Sequence, residues 1–261
     1  MVTEYYYADP TGNITLLAPL PRDDTSLQQT SKILMQLEPS AEQVGFLSKG
    51  DNDCDITLQM AGGEFCGNAA LSAAAVYSLN THFSQLHTEK QICVRVSGTV
   101  TPVAVFLQKT GNNSFYGRVF MPAPLSISLH QLPLNDQMVV FPVVTFSGIT
   151  HVVSEQSLPK EALELAIKKW CFSLHAEALG IMQLNAEKKT LLPLVYVRNG
   201  ETLFWESSCA SGTTAVGAYL REKYGPGCWE FSEPAGKLKI LADAQGNLVL
   251  SAPVTVEKRT I

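Results

Sequence analysis

Two cysteines carry the chemistry that this sequence suggests. Cys66 lies in Met60-Ala61-Gly62-Gly63-Glu64-Phe65-Cys66-Gly67-Asn68-Ala69-Ala70, and Cys209 in Trp205-Glu206-Ser207-Ser208-Cys209-Ala210-Ser211-Gly212-Thr213-Thr214-Ala215. Each follows an apolar, strand-like run (56–60; 203–205) and a short polar turn holding a glutamate, and each precedes small residues that open an alanine-rich helix. The pattern predicts two equivalent thiols at two helix N-termini. There, unpaired N–H donors and the positive end of the helix dipole favour a thiolate and bind a carboxylate. A thiol in that position can fall well below its ordinary pKa of about 8.5. The small flanking residues let a ligand approach the backbone closely. With a carboxylate held at both helix starts, one thiolate can take the α-proton of an amino acid while the other thiol delivers a proton to the opposite face, inverting the centre without a cofactor.

The rest of the composition narrows the alternatives. At 261 residues the chain is long enough for one large domain or two smaller ones. A hydrophobic content of 46%, a charged fraction of 16% and a net charge of -5 give no basic excess to attract nucleic acid. No basic start, signal-length apolar run or membrane-length segment is present, so the expectation is a cytoplasmic protein with no membrane partner. The six cysteines (Cys54, Cys66, Cys93, Cys171, Cys209, Cys228) form no Cys-X-X-Cys and no spaced histidine pairing, which argues against a metal site or a disulfide scaffold. Cys93 and Cys171, in apolar runs, read as small buried hydrophobes; Cys54 and Cys228 read as incidental turn residues.

Around the cysteines the chain reads as strands 4–8 and 14–18 across a turn at 9–13, a polar segment 22–29, a helix over 30–37, then a strand reached through Ser40 to Leu47. A strand over 55–60 feeds Cys66, and the helix over 68–79 is apolar nearly all round, which requires burial. Strands 92–96, 100–107 and 115–121 follow. A second unit starts after Pro124: strand 138–146, a turn at 148–151, an amphipathic helix 160–170, strands 191–198 and 202–205 joined at Asn199-Gly200, a helix 213–223, and strands 237–242 and 248–250. Both halves share an order of parts: strand, cysteine turn, buried helix, glycine-led strand (Gly98; Gly236), Gly-Asn turn (Gly111-Asn112; Gly246-Asn247), strand, Ala-Pro (Ala123-Pro124; Ala252-Pro253). That agreement points to an internal duplication. The expected architecture is α/β, with two pseudo-symmetric domains over 1–124 and 125–252. Each is a curved antiparallel sheet round a central helix, the tail 253–261 returns to the first, and the site lies in the cleft between them.

The two cysteine motifs, Phe65-Cys66-Gly67-Asn68 and Ser208-Cys209-Ala210-Ser211-Gly212-Thr213, resemble those of the cofactor-independent amino acid racemases and epimerases of the diaminopimelate epimerase fold. The likeness covers nearly the whole chain. Asp9-Pro10-Thr11-Gly12-Asn13 resembles a segment whose asparagine touches substrate, Ala41-Glu42-Gln43-Val44 one with a substrate-facing glutamine, and Gly148-Ile149-Thr150-His151 the family's Asn-Pro-His turn. Met60 to Asn68 looks closest to the histidine racemases of opine metallophore biosynthesis. The Glu-Arg pair that diaminopimelate epimerase carries nine and eight positions before its second cysteine is replaced by Gly200 and Glu201. The resemblance therefore implies racemisation of an amino acid, histidine first, by Cys66 and Cys209 as opposed acid and base. Gly67, Asn68, Ala210 and Ser211 would hold the α-carboxylate, Asn13, Gln43 and His151 would line the site, and Glu206 or Glu42 would recognise a cationic side chain. No cofactor and no metal are implied; the partner is a small amino acid, with a homodimer left open. The rival readings are a diaminopimelate epimerase with divergent recognition, an isomerase of the phenazine-pathway type, and, from another class, a thiol redox sensor or binding protein in which Cys66 and Cys209 form a reversible disulfide.

Overall fold

A computed structural model describes residues 3–81, 86, 88–135, 137–199 and 201–261. The chain divides into two compact units, 1–120 with 251–261, and 121–250.

In the first unit the strands are β1 (Glu4–Asp9), β2 (Thr15–Pro19), β3 (Gln43–Lys49), β4 (Ile56–Met60), β5 (Glu89–Val96), β6 (Val103–Lys109) and β7 (Ser114–Met121), joined by the last strand of the chain, β16 (Leu248–Thr260). Among the described residues they pair in the order β1-β2-β3-β4-β5-β6-β7-β16, and β16 pairs back with β1 from Glu4↔Thr260 to Asp9↔Thr255, so the sheet closes on itself. Closure leaves no open edge, and the ring surrounds α2 (Gly67–Asn80), which packs on β1, β2, β4, β5 and β6. Residues 67 to 76 of α2 are all buried. Alanine dominates because strands on every side leave no room for longer side chains. The same closeness holds on the strand side at Gly117 of β7, where a Cβ would lie 2.1 Å from Leu71 Cδ1. Helix α1 (Asp24–Leu37) packs on β3 with Leu27 and Leu34 buried against Tyr5, Leu16 and Phe46.

The second unit is built from β8 (Ser126–Leu134), β9 (Gln137–Thr145), β10 (Thr150–Ser154), β11 (Ala178–Asn185), β12 (Thr190–Val197), β13 (Thr202–Trp205), β14 (Gly227–Glu233) and β15 (Gly236–Ala242), with helices α3 (Lys160–Ser173) and α4 (Ala210–Tyr224). Its strand order runs β15-β14-β12-β11-β10-β9-β8, with β13 on β12. Helix α4 packs on β9, β10, β11, β14 and β15, the counterpart of α2. Helix α3 packs on β8, β11 and β12, burying Leu163, Ile167 and Trp170 on the face that the sequence marks out. The Trp170 indole N–H donates to Pro133 O at 2.7 Å, which satisfies its one polar atom.

Several local expectations are corrected. Helix α1 begins six residues before position 30, because Asp23 caps it by accepting the Ser26 N–H at 2.8 Å; most of the polar segment 22–29 is the start of the helix itself. Helix α4 begins at Ala210 rather than 213, which makes Cys209 itself the cap. His151 sits on β10 instead of in a turn, paired with Val144 and Gly180. Strands β8, β11 and β14 escaped the sequence reading, and the last strand and the tail are one element, β16. Cys228 lies in β14, not in a turn. Gly200, in the expected hairpin turn, lies outside the described residues, while β12 and β13 pair antiparallel on either side of it. Among the described residues no helix is long and apolar enough to cross a membrane.

The tight packing of α2 gives a direct test. Ala74 is 0% exposed, so Ala74→Leu overfills the ring and is expected to cost about 2 kcal/mol. The urea midpoint should fall with an unchanged slope; an unchanged midpoint would show that the ring has spare volume.

Candidate functional site

Both cysteines are N-caps. Cys66 has φ -132° and ψ 115° and precedes α2; Cys209 has φ -131° and ψ 102° and precedes α4. In each case the sulfur turns back over the first helical turn and accepts the N–H three residues on, Ala69 to Cys66 Sγ at 3.4 Å and Gly212 to Cys209 Sγ at 3.3 Å. The cysteine carbonyls take the next amides, those of Ala70 and Thr213, both at 2.9 Å. Gly67, Asn68, Ala210 and Ser211 occupy the first two helical positions, whose amides have no intrahelical acceptor and lie at the positive end of the dipole. Asn68 is 2% exposed and its Oδ1 has no partner among the described residues.

In the first unit the segment around Cys66 is held by the β5–β6 connection. Ser97 Oγ accepts the Met60 N–H at 2.9 Å and donates to Glu64 O at 3.0 Å. Gly98, with φ +76°, presses so close that a Cβ would lie 2.2 Å from the Phe65 nitrogen. The turn between β1 and β2 is also fixed. Thr11 and Gly12 take positive φ, and the Gly12 N–H donates to Asp9 Oδ1 at 2.5 Å. This delivers Asn13, 4% exposed, to a polar cluster. Its Nδ2 donates to Glu42 Oε2 at 2.6 Å, and Gln43 Nε2 donates to Asn13 Oδ1 at 2.5 Å and to Thr15 Oγ1 at 2.8 Å. Strand register explains how these residues approach the cysteine segment: β2 and β3 run parallel from Thr15↔Gln43, and antiparallel β4 ends at Met60 opposite Gly45, with the Ala61 N–H donating to Val44 O. The starts of β2 and β3 and the end of β4 therefore share one end of the ring. Three residues picked from separate motifs, Asn13, Glu42 and Gln43, are thus one hydrogen-bonded group.

In the second unit Cys209 is surrounded by polar groups. Its N–H donates to Glu233 Oε2 at 2.7 Å, and Glu233 Oε1 accepts from the Thr213 hydroxyl. Ser211 Oγ lies 3.6 Å from Cys209 Sγ and 3.0 Å from His151 Nε2. His151 is wholly buried, with Gly180 against its ring and no partner for Nδ1 among the described residues. Burial pushes its imidazole down to about 3, so it is neutral at ordinary pH. Burial also drives the Cys209 thiol well above its usual range, reinforced by the hydrogen-bonded Glu206 carboxylate and then by Glu233, against a smaller opposing effect of Ser211. The Glu233 carboxyl is itself pushed up to about 8, chiefly by burial. Sequence reasoning missed Glu233 and Ser97. Aligning the two halves one step further, so that Ser97-Gly98 stands beside Glu233-Pro234-Ala235-Gly236, would have flagged both.

The other cysteines stay outside this chemistry. Cys171 is buried and donates to Ala176 O, and the sulfurs of Cys54 and Cys93 lie 3.1 Å apart. Among the described residues no disulfide and no metal-holding cluster occurs.

Comparison with known proteins places the chain among racemases and epimerases. A family model described as the histidine racemase CntK N-terminal domain matches residues 2–258. A histidine racemase of Fusobacterium nucleatum is 30% identical over 264 residues, covering 98% of this chain and 95% of that one. A histidine racemase of Staphylococcus aureus is 27% identical over 252 residues, covering 92% and 88%. Among solved structures, a predicted epimerase from Pseudomonas aeruginosa superposes with a TM-score of 0.71 at 16% identity, covering 99% of each chain. A hydroxyproline epimerase from Agrobacterium vitis, with trans-4-hydroxy-L-proline bound, gives 0.68 at 9% identity, covering 100% of this chain and 91% of that one. These two likenesses establish the shared fold.

Two buried groups predict opposite pH effects on stability. His151 takes up a proton in the unfolded chain near 6.5 but in the folded chain only near 3, so its contribution is lost as pH falls through that window. Relative to His151→Gln, the wild type should lose about 2 kcal/mol between neutral pH and about pH 5. Glu233, with its folded pKa raised to about 8, contributes stability that is present in acid and lost as pH rises from the ordinary carboxylate range to about 8. Relative to Glu233→Gln, the wild type should therefore gain as pH falls. Urea titrations of the three proteins across pH decide both signs.

Proposed function

We propose that this chain, which belongs to the histidine racemase family, racemises histidine with Cys66 and Cys209 as the two proton-transferring groups. It is an isomerase of the amino acid racemase kind; histidine as substrate and the two-thiol mechanism are our reading. The substrate is taken from the names of its relatives, whose likeness spans nearly the whole chain. The mechanism rests on one observation above all: two cysteines with nearly the same backbone angles cap two buried helices in the same way.

The chemistry follows from that geometry. The α-proton of an amino acid is very weakly acidic, and removing it puts charge onto the α-carboxylate. The amides of Gly67 and Asn68, and of Ala210 and Ser211, lie at positive helix ends suited to hold that charge, and one such donor is typically worth about 3 kcal/mol in the transition state. With the substrate carboxylate there, the thiolate of Cys66 takes the α-proton from one face as the Cys209 thiol gives its proton to the other; the reverse reaction exchanges their roles. Asn13, fixed by Glu42 and Gln43, orients the substrate, and Asn68 Oδ1 is an acceptor suited to its ammonium group. Glu206 recognises a cationic or hydrogen-bonding side chain, as an imidazole requires. His151 acts through Ser211, whose hydroxyl it holds beside the Cys209 sulfur. No step needs a cofactor, but both sulfurs must stay reduced, which suits a reducing compartment such as the cytoplasm.

Proton NMR of L-histidine in D2O with reductant tests this reading. The wild type should exchange the α-proton for deuterium and produce D-histidine, and Cys66→Ser and Cys209→Ser should each slow inversion by at least about a hundredfold. Exchange of another amino acid but not histidine would overturn the substrate assignment. Inversion that survives both substitutions would overturn the two-thiol mechanism.

A further inference from the structure

The two cysteine turns have matching caps but different supports beneath them. In the first unit the connection from β5 to β6 reaches the Cys66 segment with a hydroxyl, that of Ser97. In the second unit the last residue of β14, Glu233, reaches the Cys209 turn with its carboxyl, and the β14–β15 connection closes the same turn through the Ala235 N–H to Ser207 O at 3.0 Å. Glu233 is 6% exposed, and both of its oxygens are engaged at the start of α4, by the Cys209 N–H and the Thr213 hydroxyl. A buried carboxyl sits on the backbone of Cys209 itself, whereas the hydroxyl beneath the Cys66 segment is hydrogen-bonded to Met60 and Glu64, and this is a built-in asymmetry.

We propose that Glu233 is a positioning residue that fixes Cys209 at the first turn of α4 and, once ionised, raises the pH at which the Cys209 thiol gives up its proton. The proposal deepens the two-thiol reading and rests on it. A carboxyl that ionises beside a sulfur in a dry site opposes a second negative charge there, so acid and thiol titrate as a coupled pair. The groups facing this pair do not relieve it. Glu206 adds a further negative charge and hydrogen-bonds the thiol, and His151, reaching the sulfur through Ser211, is neutral. Burial holds the Glu233 carboxyl up to about 8 and the thiol higher still, so the carboxyl ionises first. In the resting enzyme Cys209 is then the proton donor and Cys66 the base. After one inversion Cys66 carries the abstracted proton and Cys209 is the thiolate, and exchange with water or the reverse reaction restores the start. Because the enantiomers have equal free energy, kcat/KM must be the same in both directions whatever the resting state. The asymmetry is therefore to be read from the thiol itself.

The test is the pH dependence of Cys209 alkylation by iodoacetamide, followed by peptide mass spectrometry in wild type and Glu233→Gln. The glutamine keeps an acceptor for the Cys209 N–H but cannot ionise. Expected is a fall of about one pH unit in the alkylation midpoint of Cys209, with a rate about tenfold higher above about pH 8, where the wild-type carboxyl is ionised, and little change at neutral pH, where it is not. An unchanged Cys209 profile in the folded variant would overturn the proposal. Should Glu233→Gln not fold, carbon-13 NMR of the wild type decides, with the Cys209 Cβ signal identified by its loss in Cys209→Ser. Ionisation of that cysteine at higher pH than a buried glutamate titrating near 8 supports the proposal, and ionisation at lower pH overturns it. Full turnover by Cys209→Ser would sink the two-thiol reading alone, since the alkylation shift still reports whether Glu233 governs the thiol.

Discussion

The first turn of a helix exposes N–H groups that nothing inside the helix can satisfy, and in this protein two such turns begin helices whose bodies are buried. A buried, unsatisfied donor is costly, so each turn must be capped by a side chain or reserved for a ligand. A cysteine sulfur takes one donor three residues on, a weak acceptor that spends little of the available field, and the amides of the two positions nearest the cap have no intrahelical acceptor. A serine or aspartate would cap more strongly than a thiol.

Everything around these turns serves their position. Strands must wrap a helix closely enough to bury it, which restricts α2 to alanines and small neighbours and requires glycine at Gly117, while Gly98 lets the β5–β6 connection press on the Phe65 backbone. Closing the first sheet on itself places the Asn13 turn, the Glu42-Gln43 segment and the end of β4 at one end of the ring. The polar cluster there is held by internal hydrogen bonds, so its geometry is set within the fold itself.

The units also differ where their chemistry is tuned. The Cys209 thiol lies among a buried carboxyl, a second carboxylate and a neutral histidine reached through Ser211, so its surroundings come from three separate stretches of chain: 151, 206–211 and 233. A duplicated scaffold provides two equivalent attachment points; the electrostatics of each follow from a few residues that the duplication did not preserve. Ser97 and Glu233 are the clearest such pair.

The sequence by itself determined the two cysteine turns, the helices they open and the duplicated order of parts, because these depend on local signals: small residues after a cysteine, an all-apolar helix, Gly-Asn turns. It also yielded Asn13, Glu42 and Gln43 as separate candidates, through family likeness rather than through any pattern that joined them. Their union required parallel pairing of β2 with β3, which no local signal specifies. Strands β8, β11 and β14 and the strand setting of His151 were not legible, since a strand is completed by partners distant in sequence. Glu233 was the least visible of all. In the chain it is a glutamate before a proline in a turn, and only folding the β14–β15 connection onto α4 places it on the Cys209 backbone, where loss of water makes a common carboxyl a tuned acid.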